Sequence, residues 1–471
     1  MIANGILSFM VQGVVIVILT INVVQNGLYL FQIATAICVL MRPGGSSGGN
    51  RLWRRYGASA PPIALLAPAY NEALGIVDCV KALFALEYPL TEVIVINDGS
   101  TDNTLDVLIE AFDLTPAHRT FDQVIPHQPI RAIYASHVHP NLLVVDKENG
   151  GKADAMNAGI TLARSPLFCA IDADSLLEPD ALLRIVRPFV EHPQRTVAVG
   201  GVVRVVNGCR VQSGRVVDIR ASRHFLPLVQ TIEYLRAFLM ARVAWSGVGA
   251  LMLISGAFGL FRRDVVMQVG GFGTDTIGED LDMVIKMHRH LREQRRPYDI
   301  VFLSDPICWT EAPESLRTLK GQRCRWQRGA LEVFFKQRDM LFRSRYGRIG
   351  WLGMGHILIA DIVGPVAELS GYVLLPVFWM LGWLSVEYFN AFLSLVLLFG
   401  LFLSVSSLVL SEMVTHSFPR FSDLLRLALV AVVENFGYRQ LNTYWRVLGW
   451  WQFLRKDKSW GEMTRVGFSA R

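Results

Sequence analysis

Two long apolar regions, one at each end of the chain, limit what it can fold into. Ile6 to Met41 contains no Asp, Glu, Lys or Arg. At about 36 residues it exceeds the ~20 that suffice to cross a bilayer as a helix. It is too long for a cleaved signal peptide, and no positive segment precedes it. No Pro or Gly pair marks a turn near Asn22, Gln25 and Asn26, so one long helix is expected rather than a hairpin. Arg42, Arg51, Arg54 and Arg55 follow, interleaved with a flexible Gly44 to Gly49 linker. By the positive-inside rule they place the next domain in the cytoplasm. From Gly350 the chain turns apolar again, through Trp351 to Leu384 (one long span or two short ones) and Tyr388 to Met413. Leu424 to Leu454 carries Glu434, Asn435, Arg439 and Arg446, a polarity that favours an interfacial helix. About three to five spans result.

Between these regions lies room for a soluble domain of about 250–300 residues. The whole chain is 52% hydrophobic with mean hydropathy +0.35, more than a soluble globule needs. A net charge of +6 suits an anionic membrane face or phosphate-bearing ligands, and is too diffuse to argue for nucleic acid. The six cysteines form no Cys-x-x-Cys pair, which reads as reduced thiols rather than a disulfide framework or zinc site.

From Ile63 the pattern alternates strand, loop and helix. Ile63 to Pro68, Glu92 to Ile96, Leu142 to Val145 and Phe168 to Ile171 read as buried strands, and Asn71-Glu72 as the start of a helix. Short apolar strands separated by helical patterns predict a mostly parallel sheet with ligands at the strands' carboxyl ends. Thr231 to Trp245 and Leu319 to Phe342 read as amphipathic helices on the membrane surface, with buried packing helices as the alternative. A basic segment, Val203 to Arg223, has no evident place in this pattern.

Four clusters carry chemistry. Asp98, in Asn97-Asp-Gly-Ser100, offers a carboxylate and exposed amides to a nucleoside; an ordinary Asx turn uses the same residues. Asn149-Gly-Gly-Lys152 opens a helix, with glycines for close backbone approach and Lys152 for phosphate. Asp172-Ala-Asp174 can share a divalent metal with diphosphate oxygens, or form a solvated turn. In Gly278-Glu-Asp280 a carboxylate can act as general base, cap a helix, or do both. Just before the second apolar region comes Gln322-Arg-Cys-Arg-Trp326. Arg325 and Arg328, with Lys320 and Arg323, supply donors for phosphate, and Trp326 supplies a flat face for a sugar ring. No Ser-His-Asp, Cys-His or His-Glu-x-x-His arrangement is legible, which disfavours hydrolytic zinc chemistry. Asp361 and Glu368 lie seven apart around Gly364-Pro365; they either line a polar path for a hydroxyl-rich product or are satisfied by neighbouring helices.

In this order the motifs resemble the processive family 2 glycosyltransferases: cellulose, chitin, hyaluronan and poly-N-acetylglucosamine synthases. The resemblance rests on Ala67-Pro-Ala-Tyr-Asn-Glu72, Asn97 to Thr104, Gly151 to Asn157, Asp172-Ala-Asp174, Ser255-Gly256, Gly278-Glu-Asp280 and Gln322-x-x-Arg325-Trp326. It covers about residues 60 to 345, and the flanking segments match in layout only. It implies a hexosyltransferase with a cytoplasmic α/β domain of GT-A type, interfacial amphipathic helices and a small transmembrane bundle. It implies that Asp98 contacts uridine, Lys152 helps hold the nucleotide, Asp172 and Asp174 bind Mg2+ or Mn2+ with Asp174 nearest the ion, and Asp280 is the base. Gln322, Arg325 and Trp326 would hold the donor diphosphate and the acceptor end of the glycan. Trp460 to Arg465 resembles the segment that covers the nucleotide in hyaluronan and chitin synthases, with Trp460 and Arg465 as its binding residues.

The expected domains are an N-terminal span with basic linker (1–57), the transferase domain (58–318, with an interfacial helix at about 225–246) and an interfacial helix carrying the Gln-x-x-Arg-Trp motif (319–349). Transmembrane helices (350–415) and an interfacial helix with a gating tail (416–471) complete the chain. The expected function is inverting, processive β-transfer from UDP-N-acetylglucosamine or UDP-glucose into a polysaccharide passed across a bacterial-type inner membrane. The alternative is a single addition to a lipid-phosphate acceptor. Partners implied are the UDP-sugar, the growing glycan, the bilayer and accessory export or regulatory subunits, with no nucleic acid.

Overall fold

The computed structural model describes residues 2–41, 59–121, 123–172, 175–212, 214–415 and 418–457. Asp174, Trp460 and Arg465 lie outside the described residues, as does the basic linker. Two compact units emerge. Among the described residues, one takes in 2–38, 223–244 and 313–457, and the other takes in 39–222 and 245–312.

The second unit is built on a ten-stranded sheet, ordered β3-β4-β5-β2-β1-β6-β11-β8-β12-β7. The strands are β1 (Ile63–Ala69), β2 (Thr91–Asp98), β3 (Leu114–Pro116), β4 (Ile130–Ser136), β5 (Leu142–Lys147), β6 (Leu167–Ile171), β7 (Ser175–Leu177), β8 (Thr196–Val205), β11 (Phe258–Arg262) and β12 (Asp299–Thr310). A parallel centre, β5-β2-β1-β6, carries the four strands legible as apolar runs. Such strands are covered on both faces, which is why they are continuously apolar rather than alternating. Antiparallel strands β4 and β11 flank this centre, so the sheet as a whole is mixed. Helix Lys152–Leu162 is buried all round. A Cβ at Gly159 would stand 3.0 Å from Ile96 Cδ1 and 3.2 Å from Leu66 Cδ2, so a glycine lets this helix sit directly on β1 and β2.

The basic segment from Val203 finds its place here. It finishes β8, turns at Gly208 (φ +95°), and forms a hairpin of β9 (Arg210–Gln212) and β10 (Arg215–Asp218). The hairpin's Val211 and Val216 pack on Leu176, Val206, Cys209 and Trp309, while Arg210 and Arg215 stay exposed.

Residues Asn71-Glu72 do not begin a helix. Asn71 sits at φ +57°, and the helix starts at Ile76. The Asn71 side chain is taken instead by the next loop, where its Oδ1 accepts the amides of Thr101 (2.8 Å) and Asp102 (3.3 Å). Short polar side chains favour such local bonds over helix continuation.

The other unit is helical. Ile2–Leu40 is one unbroken helix. Three described helices are long and apolar enough to cross a membrane: Phe9–Leu40, Ile349–Met380 and Val386–Met413. Residues 225–247 run helically through a π-helical stretch at Leu235–Arg242. The Leu424 to Leu454 region is two helices, Phe421–Val433 and Tyr438–Leu454, parted at Gly437 (φ +98°). Asp361 and Glu368 are satisfied by a neighbouring helix. Arg446 reaches Asp361 Oδ1 at 3.0 Å, and Arg439 reaches Glu368 Oε1 at 3.4 Å. Both pairs are spaced seven residues apart, which two antiparallel helices match rung for rung.

Candidate active site

Strand β2 delivers Asp98 to the sheet's carboxyl edge, and the side chain turns inward. Its Oδ1 receives the Lys147 ammonium at 2.6 Å and the Gly150 amide at 3.1 Å; its Oδ2 receives the Gly151 amide at 2.8 Å. The Asn149 side chain donates to the Asp98 carbonyl at 2.8 Å. The loop 149–151 is thus strapped to the end of β2. Lys147 is wholly buried and lies 2.6 Å from the Asp154 carboxylate as well. Asp154 in turn accepts the Gln128 amide. One buried cation thereby serves two buried carboxylates, and backbone amides supply the remaining donors, the condition under which buried charge is tolerated.

Glycines permit this packing. A Cβ on Gly150 would fall 2.5 Å from Asp154 Cγ, and one on Gly99 (φ +66°) 2.7 Å from the Asn149 nitrogen. Lys152 then starts the buried helix and reaches across the site. Its Nζ stands 2.5 Å from Asp172 Oδ1 at the end of β6, and 3.5 Å from the Gly256 carbonyl. Burial alone would lower the Lys152 pKa, but the charges of Asp172, Asp280 and Glu279 outweigh it and raise the ammonium above its ordinary value.

Asp280 occupies the first turn of helix Glu279–Glu293, where an anion is favoured by the helix dipole. The Gly256 amide donates to its Oδ2 at 2.7 Å. A Cβ at Gly256 would come within 2.5 Å of Asp280 Oδ1, so the glycine of Ser255-Gly256 is what lets the carboxylate press against the backbone. Neighbouring Glu279 is nearly buried, and burial first, then the Asp280 charge, pushes its pKa up to about 7. His288, one face further along the helix, is neutral in character: burial pushes it down to about 4. Its Nε2 faces the Leu251 carbonyl at 2.7 Å and so carries the proton, leaving Nδ1 to accept from Tyr298 Oη at 2.7 Å. This ties the helix carrying Asp280 to the loop carrying Gly256. The tight Gly270-Gly271 turn is clamped from the other side by Asn157, which both accepts from and donates to the Phe272 backbone at 2.7 and 3.0 Å.

Asp98, Lys152, Asp172 and Asp280, chosen from separate stretches of sequence, therefore converge at the carboxyl edge of one sheet. Lys147, which falls in no motif, joins them, as do Asp154 from the Gly151 to Asn157 motif and Glu279, the other carboxylate of Gly278-Glu-Asp280. Gln322, Arg325 and Trp326 belong to the helical unit, on helix Leu316–Lys336, which Ser315 caps by accepting the Thr318 amide. Gln322 is buried, Arg325 half-buried, and Trp326 49% exposed. On that helix the Gln-x-x-Arg-Trp motif presents an aromatic face to its surroundings.

A family model described as glycosyl transferase family group 2 matches residues 167–433, and one described as glycosyl transferase family 2 matches residues 65–125. The first spans more than half of the chain. The chain belongs to glycosyl transferase family 2. It is 30% identical over 275 residues to a poly-beta-1,6-N-acetyl-D-glucosamine synthase of Staphylococcus epidermidis, and 32% identical over 275 residues to that of Staphylococcus aureus. The matched region is 58% of this chain and 56% of each of these relatives. Among solved structures, a mannosyltransferase from Pyrobaculum calidifontis, in complex with GDP-Man and Mn2+, covers 95% of this chain at 18% identity with a TM-score of 0.57. That likeness places the mixed sheet in the GT-A type of fold.

Proposed function

We propose that this family 2 transferase polymerises a β-linked polysaccharide from a UDP-sugar, with UDP-N-acetylglucosamine as donor, and passes the product across the membrane. The observation that carries the reading is the convergence of Lys152, Asp172 and Asp280 around Gly256, at the carboxyl edge of a GT-A sheet. The synthases matched above, named for an N-acetylglucosamine polymer, support the choice of sugar.

In this reading Lys152 holds the diphosphate, and Asp98, through the Gly150 and Gly151 amides, keeps the 149–151 loop in shape for the nucleoside. Asp280 takes the proton from the acceptor hydroxyl as the freed oxygen bonds to the anomeric carbon. The carbon–oxygen bond to the diphosphate breaks on the opposite face, UDP departs, and an α-linked donor gives a β-linked product. Among the described residues no group of three or more His, Cys, Asp or Glu side chains is placed to hold a metal ion, so the fit to a metal is that of the Asp-x-Asp chemistry: Asp172 offers the hard carboxylate oxygens a divalent ion prefers, with Lys152 beside it. Asp172 and Asp174 would hold Mg2+ or Mn2+, which when bound neutralises charge gathering on the leaving diphosphate. Arg325 assists the diphosphate, Gln322 and Trp326 receive the acceptor end, and Trp460 and Arg465 cover the nucleotide. The three apolar helices anchor the chain in an inner membrane in several passes, with the sheet unit in the cytoplasm where UDP-sugars are made. Accessory export or regulatory subunits complete the machine.

The test is UDP release by the purified, detergent-solubilised chain with Mg2+ or Mn2+ across a panel of UDP-sugars. UDP-N-acetylglucosamine should be turned over fastest. If no donor releases UDP faster with this chain than with its Asp280→Asn variant, the transferase reading fails.

A further inference from the structure

The helical unit contains a buried polar cluster that the reaction itself does not use. Glu233, from helix 225–247, accepts a hydrogen bond from Arg323 at 2.5 Å through Oε2. Tyr438 Oη donates to the same oxygen at 3.2 Å, and Asn442 Nδ2 approaches Oε1 at 3.4 Å. The Arg323 and Glu233 side chains are only 9% and 12% exposed. The same Arg323 guanidinium lies over the Trp326 indole, 4.6 Å from the ring centroid. One face of Trp326 is therefore covered by a cation that is itself held by Glu233, while half of the residue stays exposed. The helix beneath is pinned independently: Cys324 Sγ meets the Trp445 carbonyl, and Gln327 bridges the Asp361 carbonyl and Arg446.

We propose that Glu233 is a positioning residue for Trp326: by fixing Arg323 against one face of the indole, it presents the other face, in one orientation, to the acceptor sugar. This rests on the reading of Trp326 as the acceptor platform. The physical argument has two steps. An exposed tryptophan on a helix samples several rotamers, and a flat sugar-binding surface works only if one of them dominates. A guanidinium selects that rotamer through its attraction to the ring, but only if it is itself immobile. Arg323 has a long, flexible stem, and Glu233, backed by Tyr438 and Asn442 from the helix Tyr438–Leu454, supplies the immobility. Glutamate at 233 thus acts on the glycan without touching it.

The experiment compares full-length wild type, Glu233→Gln, Glu233→Asp, Arg323→Lys and Trp326→Ala in detergent with UDP-N-acetylglucosamine. Product length and the KM for donor are both measured, and folding is checked by monodispersity. Glu233→Gln should shorten the product by about fivefold, the factor one ordered cation–π contact is worth, while the donor KM moves less than about twofold. Glu233→Asp should restore most of the length. Arg323→Lys keeps the ion pair and loses the planar cation, so it should shorten the product too, and it serves if Glu233→Gln does not fold. Adding Glu233→Gln to Trp326→Ala should shorten the product no further. If Trp326→Ala shortens the product but Glu233→Gln and Arg323→Lys do not, the positioning role is wrong. A donor KM that rises in step with the loss of length also rejects it. If Trp326→Ala leaves length unchanged, the acceptor reading of Trp326 falls instead.

Discussion

An Asp280→Asn protein should still bind UDP-sugar but transfer it at least about a hundredfold more slowly, the usual contribution of a positioned general base. Asparagine keeps the shape, and its carbonyl can still accept the Gly256 amide that now holds Oδ2 at 2.7 Å. The loop and the start of the helix should therefore survive, while the proton acceptor and its charge beside Lys152 and Glu279 are lost. Donor binding by calorimetry and UDP release by a coupled assay separate the two effects. A variant that keeps a tenth or more of the rate would move the base elsewhere, with Glu279 the first candidate. Glu279 would also register the change. Its pKa, raised chiefly by burial and then by the Asp280 charge, should fall from about 7 once that charge is removed.

Lys147→Met should have the largest effect on stability. The ammonium is fully buried and lies 2.6 Å from both the Asp98 and Asp154 carboxylates. Deleting it strands two carboxylates in a dry site, and breaking a buried ion pair from one side typically costs about 3–5 kcal/mol. The damage should also reach the donor, because Asp98 straps the 149–151 loop through the Gly150 and Gly151 amides. Thermal unfolding should show a lower midpoint, and the donor KM should rise. Adding Asp154→Asn removes one of the stranded charges and should recover part of the lost stability. Equal stability of Lys147→Met and wild type would contradict the assignment.

The contrast between Asp98 and Lys147 shows what was legible in the residues and what was not. The parallel strands were readable because burial on both faces forces continuous apolar runs. Asp98, the Asn149 to Lys152 loop and Asp172 were readable because each falls where such a strand ends, and Asp280 because it opens a helix. Lys147 was not, because a lysine at a strand end is ordinarily solvated. Only the fold shows that it is enclosed, and that Asp98 points at it. The long apolar helices were plain from length and charge alone. The partners of Asp361 and Glu368 were not, although Arg439 and Arg446 repeat the same spacing of seven. Nothing local connects residues some eighty positions apart until two helices pack antiparallel. Asn71 misled for a related reason. Its side chain suits a helix start, and the loop at Thr101 and Asp102 claims it first. Glu233 looked like one polar position on an amphipathic helix, and its link to Trp326 runs through Arg323, ninety residues away in the chain.

Polymer formation by the whole chain, as proposed above, can be read from a single product. The most direct test is the size of the product formed by the purified chain from radiolabelled UDP-N-acetylglucosamine, analysed on a sizing gel before and after a glycosidase specific for β-linked N-acetylglucosamine. The account predicts a long, glycosidase-sensitive polymer that disappears with Asp280→Asn. A single labelled sugar on extracted lipid, with no longer product at any donor concentration, would contradict it and establish the single-addition alternative.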